Sequence, residues 1–221
     1  MIELNVDGEL VRVVVNHVVN AGYSGRNEES VRAHIDELAN DGIEAPDAVP
    51  TTYELAPNVL LTDPGTVRVV GGDTSGEAEF GLLVTRDESY VVAASDQTDR
   101  DLERDNIQKS KQIAPNVISR HAWKLSDIRN HWDKIEIRAW NTTNGERRLY
   151  QEATLASILE PEELLDAVRD QYGGPLNGTS VLSGTVTTIG GNLTSSSAFE
   201  VELVDSVRGR SLSVAYDVET M

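Results

Sequence analysis

At 221 residues the chain can bury a sizeable core, and 37 acidic against 19 basic side chains give it a formal charge of −18. Such a balance repels nucleic acid and anionic membrane surfaces, so neither is an expected partner. The absence of cysteine excludes disulfides, thiolate catalysis, zinc fingers and iron–sulfur clusters.

No apolar run approaches the ~20 residues of a membrane span, and the amino terminus alternates instead of carrying a basic leader. A soluble, cytoplasmic protein is expected. Lys109, Lys111, Lys124 and Lys134 are the only lysines among the 19 basic residues, and there are two phenylalanines. A high-salt cytoplasm favours this composition, because screening weakens self-repulsion. A halophilic source is therefore expected, with unfolding or loss of activity when salt is dialysed away.

Residues 1–15 read as two short strands around the Asp7-Gly8 turn. After Gly22-Tyr23-Ser24-Gly25 the pattern becomes helical, with Asn27 as cap, Glu28 and Glu29 in the first turn, and Gly42 as stop. Val31, Ile35 and Leu38 form its apolar stripe. His34 and Glu37, three apart, are neighbours on one flank of it. They read either as an ordinary surface pair or as an acid–base histidine oriented by a carboxylate.

Residues 43–65 are proline-rich and loop-like. The stretch from Asp73 to Asp101 follows. Ala78, Phe80, Leu82 and Val84 share one face of an alternating strand, with Glu77 and Glu79 on the other. Residues two apart in a strand lie roughly 6.6 Å apart, so both carboxylates can lean onto one ion. A turn at residues 86–89 and a second apolar run, Tyr90 to Ala94, bring Asp96 to a strand end. Three acidic oxygen ligands suit a hard divalent cation such as Mg2+ or Mn2+, with Ca2+ a further candidate. In so acidic a chain the alternation by itself also fits a solvated strand face, and Glu-x-Glu occurs again at Glu200 and Glu202.

A short helix or loop carries Lys109 and Lys111. Residues 123–128 read as a helical turn, and residues 134–141 as a strand before the Asn144-Gly145 hairpin signal. Residues 154–169 read as a second helix, interrupted near Pro161. A strand and a glycine-flanked turn, Gly184-Thr185 through Gly190-Gly191, precede two closing strands, at residues 199–204 and 211–218. Strands dominate, helices are peripheral, and P-loop, Rossmann, nucleophile-elbow and HExxH patterns are absent.

The order of parts carries a resemblance. A helix with H-x-x-E precedes a proline-rich loop and E-x-E in a strand. Then come D-x-T-x-R-D (Asp96-Gln97-Thr98-Asp99-Arg100-Asp101), a lysine–serine segment, N-G-E and a late G-T turn. Over residues 20–205 the chain resembles the fumarylacetoacetate hydrolase-like superfamily, as an uncharacterised small branch. Two departures stand out: a shortened interval from Glu79 to Asp96, and Val186 where the family has proline.

The resemblance implies an α+β, strand-dominated fold, a mixed β-roll with few peripheral helices. It also implies one catalytic-type domain over 1–221, a lid-like helical segment at 20–45, and a homodimer. By the same resemblance Glu77, Glu79 and Asp96 are the metal ligands, and His34 and Glu37 the acid–base dyad. Lys111, or Lys109, binds substrate or assists proton transfer, while Arg100 and Thr185 contact substrate. The implied activity is a metal-dependent hydrolase or lyase acting on a small 2-oxo acid through a metal-stabilised enolate, as in acylpyruvate C–C hydrolysis or oxo-diacid decarboxylation. Dehydration or isomerisation of a sugar-derived 2-oxo acid is the alternative, and a non-catalytic binding protein keeping the fold is the rival.

Overall fold

A computed structural model describes residues 1–40 and 45–221, apart from the side chains of His34 and residues 37–40. The chain opens with the hairpin β1 (Ile2–Val6) and β2 (Glu9–Val13), whose turn takes positive φ at Asp7 and Gly8. Next come β3 (His17–Gly22), α1 (Glu28–Asn40), β4 (Thr51–Leu55), β5 (Leu60–Thr62) and β6 (Gly65–Val69). The hairpin β7 (Thr74–Val84) and β8 (Ser89–Asp99) follows, then α2 (Arg100–Glu103), α3 (Ile107–Ile113), β9 (Asn116–Ile118), β10 (His121–Lys124) and α4 (Leu125–Ile128). The rest is β11 (Glu136–Thr143), β12 (Glu146–Thr154), α5 (Pro161–Tyr172), β13 (Thr179–Leu182), β14 (Ala198–Asp205) and β15 (Arg210–Thr220).

The strands make two mixed sheets. The larger runs β2-β1-β10-β8-β7-β13-β3-β4, with β9 also on β8 and β5 on β9; the smaller runs β12-β11-β14-β15-β6. This strand-dominated α+β architecture is the expected one. The main core lies where the smaller sheet packs on β7 and β8, with Phe80, Ile137, Phe199, Val201 and Tyr216 buried together. Phe80 meets Trp132 edge-on, ring centroids 4.9 Å apart, the offset geometry aromatic quadrupoles favour. On the other side of the larger sheet a second apolar cluster joins Leu4 and Val6 of the amino-terminal hairpin to Leu83, Val92 and Ile118.

Thus β7 and β8 are covered on both faces, and of the two readings of Glu77 and Glu79 the solvated strand face does not hold: Glu79 is 1% exposed. The face opposite Phe80 is apolar at Leu83 and Val92 and acidic at Glu79, Glu77 and Asp96. Asp96 lies inside β8, not at its end. The ladder continues to Asp99, and the polar side chains flanking Asp96, at Ser95, Gln97 and Thr98, are buried and hydrogen-bonded.

Two helical expectations are also corrected. Pro161 begins α5 instead of interrupting a helix, since proline lacks the N–H that a first turn leaves unpaired, and Glu160 and Glu163 form a capping box around it. Trp123 belongs to β10, and the helical turn starts at Leu125. Asn27 caps α1 as expected, its side chain accepting from the Ser30 amide at 3.0 Å. Gly42 lies outside the described residues. Among the described residues no helix is long and apolar enough to cross a membrane.

Candidate active site

The β7–β8 register sets Glu77 directly opposite Asp96, with Glu79 two residues further along the same face. One ligand oxygen from each carboxylate lies within 4.8 Å of the others. Asp96 Oδ2 accepts from Lys111 Nζ at 2.5 Å, whereas Oδ1 is buried with no hydrogen-bond partner. A buried carboxylate oxygen with nothing to accept from is costly in protein alone and is satisfied by a cation. An all-oxygen, all-carboxylate donor set of this spacing fits a hard divalent ion, and the buried Glu77–Glu79–Asp96 group could hold one.

Fixed cations stand beside the triad. Arg100 donates to Glu77 at 3.0 Å, to Glu103 at 2.8 Å and to Ser75 Oγ at 2.7 Å. Lys111 Nζ reaches Glu77 at 3.5 Å and Thr98 Oγ1 at 3.4 Å. Burial would push the Glu77 carboxyl up, but Arg100 and then Lys111 hold it below the usual range. Glu79 goes the other way. Burial first, then the charges of Asp96 and Glu77, push its carboxyl well above the usual range, against Lys111. Burial would lower the Lys111 ammonium, yet the three carboxylates hold it firmly protonated.

The backbone anchoring Glu79 is the glycine turn singled out in the sequence. Gly184 donates its amide to Glu79 Oε2 at 2.9 Å, with φ +80°. A Cβ at this position would strike Ser24 Oγ and come within 2.9 Å of the Ala21 carbonyl oxygen. Gly184→Ala is therefore expected to destabilise the protein by ~1–3 kcal/mol and to weaken divalent-ion binding by displacing the Glu79 anchor. Thermal melting and ion titration check both effects, and a variant with wild-type values in each would remove the turn from the site.

Glu77 and Glu79 of the triad line a cavity of ≈ 600 Å³ between the β3–α1 connection, β4, α3 and the Gly184–Thr187 turn, with Asp96 buried behind them. Lys111 is buried beside the acids and lines the cavity, while Lys109 is exposed. Two residues apart on a helix point to different sides, and the Asn106 cap on the Lys109 amide (2.9 Å) sets the rotation of α3. Thr185 lines the cavity with its hydroxyl accepting from Gln151 at 2.7 Å and donating to the Ala78 carbonyl at 3.0 Å. Arg100 sits behind Glu77 and is absent from the cavity wall. The early turns of α1 reach the wall through Asn27, Ser30 and Val31. His34 and Glu37 are residues of α1, and their side chains lie outside the described residues.

The family model described as "Protein of unknown function (DUF2848)" matches residues 21–216. The chain belongs to the DUF2848 family.

Curated proteins give no match to this DUF2848 sequence. Solved structures do. A fumarylacetoacetate isomerase/hydrolase-like protein from Oleispira antarctica is 16% identical, with a TM-score of 0.71 over 99% of this chain and 100% of that one. A 2-keto-3-deoxy-D-arabinonate dehydratase complexed with magnesium and 2,5-dioxopentanoate is 17% identical, with a TM-score of 0.66 over 94% and 74%. The 4-oxalocrotonate decarboxylase from Pseudomonas putida G7, complexed with calcium and acetate, is 14% identical, with a TM-score of 0.58 over 95% and 78%. These likenesses show that the DUF2848 chain has the fumarylacetoacetate hydrolase-like fold.

Among the wall residues that escaped the sequence reading are Tyr23, Tyr53, Glu103 and Glu152. Tyr23 carries one signal, a bulky residue between glycines in GYSG, and it takes φ 54°. Tyr53 sits in a proline-rich stretch without periodicity, and Glu103 is one acid among many.

Proposed function

We propose that this cavity is the active site of a divalent-metal-dependent hydrolase or lyase acting on a small 2-oxo acid. The buried triad carries the reading: Glu77, Glu79 and Asp96 converge on one point, Asp96 Oδ1 is buried without a partner, and Glu77, Glu79 and Lys111 line the cavity. These three residues would hold the ion. When bound, a divalent ion supplies Lewis-acid stabilisation of negative charge on the oxygens of a 2-oxo-carboxylate.

The protein's own groups do the rest. Lys111 stays protonated and offers fixed positive charge where substrate oxygens gather. Arg100 holds Glu77 from behind and so positions a ligand without touching substrate. The Gly184 amide fixes Glu79. His34, with Glu37 three residues on, would exchange a proton with substrate or water from α1, whose first turns border the cavity. Small acylpyruvates, oxo-diacids and sugar-derived 2-oxo acids all call for this set of groups.

The test is a screen of such acids with Mg2+ or Mn2+ in concentrated KCl. Turnover that chelation stops and added metal restores is the expected result. Metal-independent turnover would remove the ion from the reaction, and no turnover with any 2-oxo acid would leave the non-catalytic binding protein as the better reading.

A further inference from the structure

We infer that the cavity is built for a 2-oxo acid with one carboxylate and a neutral, hydroxylated tail, and that it discriminates against oxo-diacids. This rests on the function proposed above and deepens it: the oxo-carboxylate occupies the triad end, and the remaining wall receives the tail.

Charge on that wall decides the matter. Among the described residues Lys111 is the one lysine or arginine lining the cavity, and it is already committed to Asp96 and Glu77. Arg100, the nearest other fixed cation at the triad, is spent on Glu77, Glu103 and Ser75 behind the wall. The sequence of residues 37–44 contains no lysine or arginine. Away from the triad and Lys111 the charged groups on the wall, among the described residues, are Glu103 and Glu152, both acidic. A second substrate carboxylate would lose its water and meet carboxylates, with no cation to pair with.

The uncharged polar groups point the same way. Tyr23 and Tyr53 line the cavity, along with Thr185. Burial, ahead of any neighbouring charge, pushes the Tyr53 phenol up to about 12, so it is a neutral hydroxyl able to donate as well as accept. Phenols and hydroxyls suit a tail of hydroxyl groups. Two recognition requirements are thus met by different groups of one cavity, the triad with Lys111 for the oxo-carboxylate and the uncharged hydroxyls for the tail.

The experiment measures binding to the Mg2+-loaded protein of two acids with the same five-carbon skeleton, 4,5-dihydroxy-2-oxopentanoate and 2-oxoglutarate, in the same salt. The dihydroxy acid should bind at least about tenfold more tightly. Glu152→Gln removes one wall charge at a position whose partner Arg138 keeps Glu136, and it should narrow the gap by strengthening 2-oxoglutarate binding. Equal or tighter binding of 2-oxoglutarate to the wild-type protein would overturn this inference while leaving the 2-oxo acid reading standing. An undiminished gap in Glu152→Gln would assign the discrimination to the overall charge of −18 and overturn it also. If neither acid binds in a Mg2+-dependent way, the 2-oxo acid reading falls and takes the inference with it.

Discussion

Glu79→Gln is expected to weaken Mg2+ and Mn2+ binding by about a hundredfold or more, equivalent to ~3 kcal/mol. The size follows from the donor set: with three carboxylates converging within 4.8 Å, removing one charge takes a third of the attraction in a site shielded from water. The fold should not suffer. The amide oxygen of glutamine can still accept from the Gly184 N–H, as Glu79 does at 2.9 Å, and the crowding with Asp96 and Glu77 is relieved. Without metal the variant should therefore melt at the wild-type temperature or above it. Calorimetric ion titration and a melting curve test the two halves separately. Wild-type ion affinity would remove Glu79 from the ligand set, and a large fall in melting temperature would make it a structural acid.

Lys111→Ala is expected to act in the opposite sense. It leaves Asp96 and Glu77 buried with one fixed cation fewer, at a cost of ~3–5 kcal/mol to the metal-free protein. A divalent ion can then take over the neutralisation, so added Mg2+ should recover more stability in this variant than in wild type. Turnover should stay low even with the ion bound, because the fixed ammonium beside the substrate oxygens is gone; a drop of roughly a hundredfold or more is the scale for such a group. Melting curves with and without Mg2+, paired with initial rates, give the readout. A variant as stable and as active as wild type would reduce Lys111 to a bystander.

Much of this site could be read from the residues, and the rest was hidden for definite physical reasons. Alternation placed Glu77 and Glu79 together, and the D-x-T-x-R-D segment brought Asp96 and Arg100 to the same hairpin. The choice between Lys109 and Lys111 needed the rotation of α3, which depends on the Asn106 cap and on which helix face meets β8. Burial of the acidic face was invisible because period-two patterns distinguish two faces without saying what covers each. Here the amino-terminal hairpin and the Gly184–Thr187 turn cover the second face, and both are distant in sequence. By its sequence Asp96 reads as a strand end, yet the polar run from Ser95 to Asp99 is ladder, because its side chains find partners in Tyr216, Thr74 and Lys111. The turns at Asp7-Gly8 and Asn144-Gly145 were legible at once, since each needs positive φ at both residues and has it.

The pairing of Glu77 with Asp96 across one hairpin also bears on the order in which the molecule assembles. All three carboxylates come from a single antiparallel ladder joined by a short turn, so they meet through local contacts that close early and at small entropic cost. Besides the neighbouring α3, the cavity around them needs β3 from near the start of the chain and the turn after β13 from its last fifth. During refolding a Mg2+-binding hairpin should therefore exist before there is a chamber for it to serve. An ion captured at that stage would neutralise the acids while the smaller sheet docks, and the enclosure would close around it.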